Sequence, residues 1–136
     1  MSEGELMEAA IAARKMSYAP YSSYQVGAAL LAEDGSLYTG CNVENASYGA
    51  TCCAERTAVF KAVSEGRRAF RMIAIAGGSG EKLNLAHPCG ICRQVLREFC
   101  DPAQFTVIVG TSAASYKSYT LEELLPESFG PDFMPE

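Results

Sequence analysis

Two short cysteine clusters, far apart in the chain, limit what it can fold into more than any other feature. The first is Cys53-Ala54-Glu55-Arg56 and the second is Pro88-Cys89-Gly90-Ile91-Cys92. Three thiolates are enough to hold a zinc ion and leave its fourth position open, the arrangement of a catalytic zinc and not of a structural one. A fold that uses them together must bring residue 53 to the same point in space as residues 89 and 92. Glu55 is the acid built into the same motif, so it is the natural proton carrier for a water on that ion.

A Cys-x-x-Cys pair alone has rival readings, as a redox dithiol or as half of a zinc ribbon. The third thiol at Cys53 weakens the redox reading. A closed structural site needs one more cysteine or histidine, and the local candidates are Cys52 and His87. Cys52 is adjacent to Cys53, and neighbouring side chains rarely point at one ion. His87, the single histidine of the chain, reads as a surface or packing residue. Cys41, Cys52 and Cys100 read as buried, inert thiols. Three thiolates on a divalent ion leave a net negative centre, which weakens it as a Lewis acid. Arg56 can donate hydrogen bonds to those thiolates and draw charge back.

A length of 136 residues reads as a single catalytic domain, 1–136, and 49% hydrophobic content is enough for a core. The acidic, helix-opening stretch Met1 to Glu8 is not expected to be a secretory signal, and no apolar run approaches a bilayer span. Six cysteines in such a chain point to metal ligands and buried thiols, not to a disulfide framework. The net charge of −5 and the scattered lysines and arginines argue against a polyanion partner. The expected partner is therefore a small molecule, with no nucleic acid, no membrane and a cytoplasmic location.

In chain order, Ser2-Glu3-Gly4-Glu5 is a capping box. Leu6, Ala9, Ala10, Ala13 and Met16 follow at helical spacing, and the helix should stop before Pro20. Strands are expected at Val26–Ala32 and Leu37–Cys41, around an Asp34-Gly35 turn. A helix starts at Cys53 and stops at Gly66, followed by a buried strand at Phe70–Ala76 and a flexible loop at Gly77–Gly80. Pro88-Cys89 opens another helix, with Val95, Leu96 and Phe99 on one face. Strands at Phe105–Val109 and Ser115–Tyr119 precede a second capping box, Thr120 to Glu123, and a short helix that Pro126 ends. Helices alternating with apolar strands imply an α/β fold with a mixed sheet covered on both faces. Both cysteine clusters fall at helix N-termini, whose positive ends favour thiolates. Asn42-Val43-Glu44-Asn45, at a strand end, reads either as a solvated turn or as a set of ligand contacts.

Taken together, these stretches resemble the cytidine deaminase family, in its small, three-cysteine, homotetrameric branch. The resemblance runs through Tyr18-Ala19-Pro20-Tyr21-Ser22, Val26-Gly27-Ala28-Ala29-Leu30, Gly40 to Ala46, Cys53 to Ala58, Pro88 to Gln94 and Glu123 to Pro126. It implies an α/β/α three-layer sandwich around a five-stranded mixed sheet. It implies hydrolysis of cytidine and 2′-deoxycytidine to the uridines and ammonia, in pyrimidine salvage. By the family pattern Cys53, Cys89 and Cys92 would bind one zinc ion per subunit. Glu55 would take a proton from the metal's water, pass it to ring N3 as hydroxide attacks C4, and later protonate the leaving amine. Asn42 and Glu44 would hold the ribose hydroxyls. Tyr24, where the family usually has phenylalanine, and Ala54 would also contact substrate. Phe129 matches an aromatic that enters a neighbouring subunit's site, so the expected assembly is a homotetramer with shared sites. Two rivals stand beside this reading. One is a deaminase of a related nucleoside such as an antibiotic; the other is a structural-zinc binding module.

Overall fold

The computed structural model describes residues 1–135. Helix α1 (Glu3–Ala13) begins with the reciprocal capping box: Ser2 Oγ accepts from Glu5 N at 3.1 Å and Glu5 Oε1 accepts from Ser2 N at 2.9 Å. It buries Leu6, Met7 and Ala10. The expected apolar stripe stops a turn early, because Met16 is 78% exposed. Arg14 takes the inward position instead. Its guanidinium donates to the carbonyls of Gln25 (3.0 Å), Gly78 (2.9 Å) and Gly80 (2.7 Å), which satisfies a cation that has left water.

The strands are β1 (Gln25–Ala32), β2 (Leu37–Cys41), β3 (Phe70–Ser79), β4 (Lys82–Asn84), β5 (Thr106–Ser112) and β6 (Ser115–Thr120). Their order is β2-β1-β3-β5-β6, with the short β4 paired to the end of β3. The β3–β5 pair is parallel and the others are antiparallel. The five-stranded mixed sheet is thus present, with one additional short strand.

Side chains alternate across the sheet with the period of two that a pleated strand imposes. Ala28, Leu30, Ile73, Ile75, Val107 and Val109 face α2 (Ala54–Ser64) and α3 (Gly90–Phe99), and pack with Ala58, Val59 and Leu96. Ala29, Leu31, Ala74, Ala76 and Ile108 face α1 and pack with Leu6, Met7 and Ala10. The result is helix, sheet, helix in three layers. Thr120 caps the short α4 (Leu121–Leu124) through the second capping box. Among the described residues, no helix is long and apolar enough to cross a membrane.

One expectation is corrected. Gly77, Gly78 and Ser79 are not a flexible loop; they continue β3, where Gly77 and Gly78 pair with both β1 and β4 and Ser79 with β4. Glycine stands here because neighbours press close. A Cβ on Gly78 would lie 2.0 Å from the Lys82 carbonyl oxygen, and one on Gly77 would lie 2.7 Å from Ala86 Cβ.

Candidate active site

Cys53 is the N-cap residue of α2 and Cys89 that of α3, and neither side chain is used to cap its own helix. Cys92 sits in the first turn of α3. The sheet places the two helix starts side by side, so the three sulfurs lie within 4.8 Å of one another. Cys53 Sγ is 3.8 Å from Cys89 Sγ, which is 3.4 Å from Cys92 Sγ. A tetrahedral zinc with bonds of about 2.3 Å holds its sulfurs about 3.8 Å apart, so this donor set fits that ion. Cys52 and His87 are not in the cluster. The Cys52 thiol accepts from the Thr57 hydroxyl at 3.6 Å, and the His87 ring lies 3.1 Å from the Tyr119 hydroxyl. The site therefore has three sulfur donors and faces a cavity where a fourth would be.

The hydrogen bond from the Cys92 thiol, helped by the Arg56 guanidinium, pulls the Cys53 thiol down to about 5 against the cost of its burial. Cys92, the donor of that pair and fully buried, is raised. Arg56 Nη2 lies 3.3 Å from Cys53 Sγ and 3.3 Å from the Thr51 carbonyl oxygen. Glu55 is 4% exposed, and burial, reinforced by the Cys53 thiolate, pushes its carboxyl up to about 7. A group with that affinity takes up and releases protons near neutral pH.

The cavity measures about 560 Å³, and its wall includes Tyr24, Asn42, Glu44, Ala54, Glu55 and Cys89. Asn42 is buried and nearly saturated. Its Oδ1 accepts from Val26 N at 2.9 Å and from the Ser17 hydroxyl, and Nδ2 donates to the Tyr24 carbonyl at 2.8 Å. One N–H of the amide remains for a ligand. Glu44 accepts from the Ser22 hydroxyl and from the backbone N–H groups of Tyr21 (2.9 Å) and Ser22 (3.1 Å). Those bonds, the Ser22 hydroxyl foremost, hold its carboxyl below the usual range. Asn42 and Glu44 are fixed polar groups and not a loose turn. Ser22 belongs to the Tyr18–Ser22 stretch that carries the resemblance and Ser17 directly precedes it, but nothing in the sequence around either names Glu44 or Asn42 as its partner.

Phe129 is not part of this cavity wall. It is 60% exposed and stacks on Phe133 with ring centroids 5.9 Å apart. Polar bonds hold its backbone against α3. Gln94 donates to the Phe129 carbonyl at 2.9 Å, and Arg97 donates to Ser128 Oγ at 2.8 Å and Asp132 Oδ1 at 2.7 Å. Of the remaining thiols, Cys100 is buried and pushed up to about 12 by that burial. Cys41 and Cys52 are only half-buried, because β2 is an edge strand and residue 52 precedes the cap of α2.

Comparison with known proteins agrees with this geometry. Residues 1–109 match the family described as the cytidine and deoxycytidylate deaminase zinc-binding region. The chain is 50% identical over 129 residues to a cytidine deaminase of Halalkalibacterium halodurans, covering 95% of each chain. It is 40% identical to the cytidine deaminase of Mycobacterium tuberculosis over 135 residues, covering 99% of this chain and 92% of the other. Among solved structures, the cytidine deaminase of Burkholderia pseudomallei superposes with a TM-score of 0.86 at 44% identity, covering 95% of this chain and all of that one. With three convergent thiols, a buried acid beside them and relatives matched along nearly their whole length, the chain belongs to the cytidine and deoxycytidylate deaminase family.

Proposed function

We propose that the protein hydrolyses cytidine and 2′-deoxycytidine to the corresponding uridines and ammonia. The observation that carries this is the placement of Glu55, buried, in one cavity with the sulfur cluster and with Asn42 and Glu44. Cys53, Cys89 and Cys92 would hold one zinc ion per chain. When bound, the ion would supply a Lewis acid that makes a coordinated water more acidic, with Arg56 beside Cys53 offsetting the charge of the thiolates. Glu55 accepts a proton on its carboxylate, delivers it to ring N3, and later transfers one to the exocyclic amine. The balance is nucleoside plus water to uridine plus ammonia, and Glu55 ends as it began. Burial of Glu55 keeps bulk water from short-circuiting these transfers. Glu44 accepts from a sugar hydroxyl, and Asn42 donates its remaining N–H to another.

Loss of the cytosine absorbance at 280 to 290 nm on adding cytidine tests the reaction directly. The same assay tests the sugar contacts. Free cytosine leaves the two fixed groups unpaired, which costs about 1 to 3 kcal/mol for each buried polar group. With the buried Asn42 and the half-buried Glu44 each at the low end of that range, the expected kcat/KM for free cytosine is about thirtyfold or more below that for cytidine. Comparable values would remove Asn42 and Glu44 from substrate binding.

The tail supports a shared site. A polar clamp presents Phe129 outward instead of letting it fold over its own chain. An exposed aromatic pair of this kind is suited to burial in a second copy, and a closed two-fold tetramer provides one. Light scattering is expected to give a tetramer. Phe129→Ala has an intact metal centre without a lid, and Glu55→Gln has a lid without a working centre. Their mixture, after subunit exchange, is expected to exceed the mean activity of the parents. A mean value with exchange confirmed, or a fully active monomer, refutes the shared site. Six unpaired thiols fit the reducing cytoplasm, where the reaction would serve salvage of pyrimidine nucleosides.

A further inference from the structure

Tyr24 links two sides of the cavity. On one side its backbone is tied to the groups assigned to the sugar. Its carbonyl accepts from Asn42 Nδ2 at 2.8 Å, and its N–H donates at 3.0 Å to Ser22 Oγ, which also bonds Glu44. On the other side its hydroxyl donates to Asn84 Oδ1 at 3.0 Å. Asn84 stands opposite Gly77 in the β3–β4 ladder. The ring itself lies over Gly77, where an added Cβ would come within 3.2 Å of Tyr24 Cε2 and of the hydroxyl oxygen. Immediately after Asn84, residues Leu85, Ala86 and His87 line the cavity, and the chain then reaches Cys89.

We infer that the Tyr24 hydroxyl and Asn84 form a latch that sets the position of the Leu85–His87 wall before substrate arrives, which makes Asn84 a positioning residue for the nucleoside. The inference rests on the deaminase reading for its substrate. A phenylalanine at residue 24 has the same ring but no grip on β4. A wall ordered in advance spares the ligand that ordering on binding. Neither side chain of the latch hydrogen-bonds Glu55 or the thiols, which stand at the starts of α2 and α3. Its loss therefore weakens binding of ground state and transition state alike, and KM carries the effect.

The test uses Tyr24→Phe, Asn84→Ala, the double variant and Asn84→Asp, each as the full metal-loaded protein. Hydrogen exchange of the Gly77–Asn84 amides and steady-state kinetics on cytidine are measured for all. In Tyr24→Phe and Asn84→Ala, exchange in that hairpin and KM are each expected to rise about three- to tenfold, with kcat within about twofold of the parent. The double variant is expected to be no worse than either single one. Asn84→Asp, which keeps an acceptor for the hydroxyl, is expected to retain the parent's exchange and KM. Unchanged exchange, additive losses, failure of the aspartate rescue, or a fall in kcat at constant KM overturns the latch. If the parent itself fails to turn over cytidine, the deaminase reading falls, and the exchange pattern with its rescue alone decides whether the latch exists.

Discussion

Glu55→Gln is expected to abolish cytidine turnover while the protein keeps its zinc. Proton transfer by one positioned carboxylate contributes roughly 100- to 10,000-fold. Glu55 is asked to carry several transfers in one cycle, so the loss should reach or exceed the upper end of that range. Glutamine has the same shape and can still donate and accept hydrogen bonds, but it cannot take up a proton. Because Glu55 is only 4% exposed, its desolvated carboxyl is held at a cost. The amide removes that cost, so the variant's thermal midpoint is expected to equal or exceed the parent's. The measurements are metal content, melting temperature and the loss of cytosine absorbance. Near-normal turnover would take Glu55 out of the mechanism.

The second large effect is expected at the sulfurs. Metal analysis of the pure protein should find about one zinc per chain, and Cys89→Ala should hold little of it and lose turnover to the same extent. Cys89 is exposed, so the truncation removes little packing, and the lost activity reports on the metal. A cobalt-substituted parent is expected to show a spectrum of three sulfur donors and one lighter donor. A spectrum of four sulfurs would sink the open site and revive a structural module. Such a result would need a sulfur from outside the cluster, which holds only Cys53, Cys89 and Cys92.

Much of this arrangement is legible in the chain because it depends on local rules. Ser2 with Glu5 and Thr120 with Glu123 announce helix starts by their own side-chain chemistry, and both boxes form. Apolar runs in β1, β3 and β5 are so continuous that only strands covered on both faces can bury them. The cysteine spacing names its own partners. What is not legible depends on contacts across the fold. Gly77 and Gly78 look like a loop, since glycine has little strand preference; their place in β3 is set by pairing with Val26 and Gln25 of β1, far back in the sequence, while Lys82 and Ala86 press close enough to leave no room for a side chain. Arg14 and Arg97 are buried cations whose partners lie in other segments, so no window around either reveals them. Ser17 and Ser22 matter only through Asn42 and Glu44, which the fold brings to them.

The separation of the sulfurs along the chain has a consequence for folding equilibrium. Cys53 and Cys89 are brought to 3.8 Å by helices from different parts of the sequence, so the complete donor set exists only in the native state. The unfolded chain keeps only the Cys89–Cys92 half. By mass action, an ion that binds the native form preferentially stabilises it by RT ln(1 + [L]/Kd), about 2.7 kcal/mol when free metal exceeds Kd a hundredfold. A zinc ion held by these thiols would be a ligand of the fold itself: its depletion would lower the population of native chains, and with it their lifetime against proteolysis, before substrate is ever encountered.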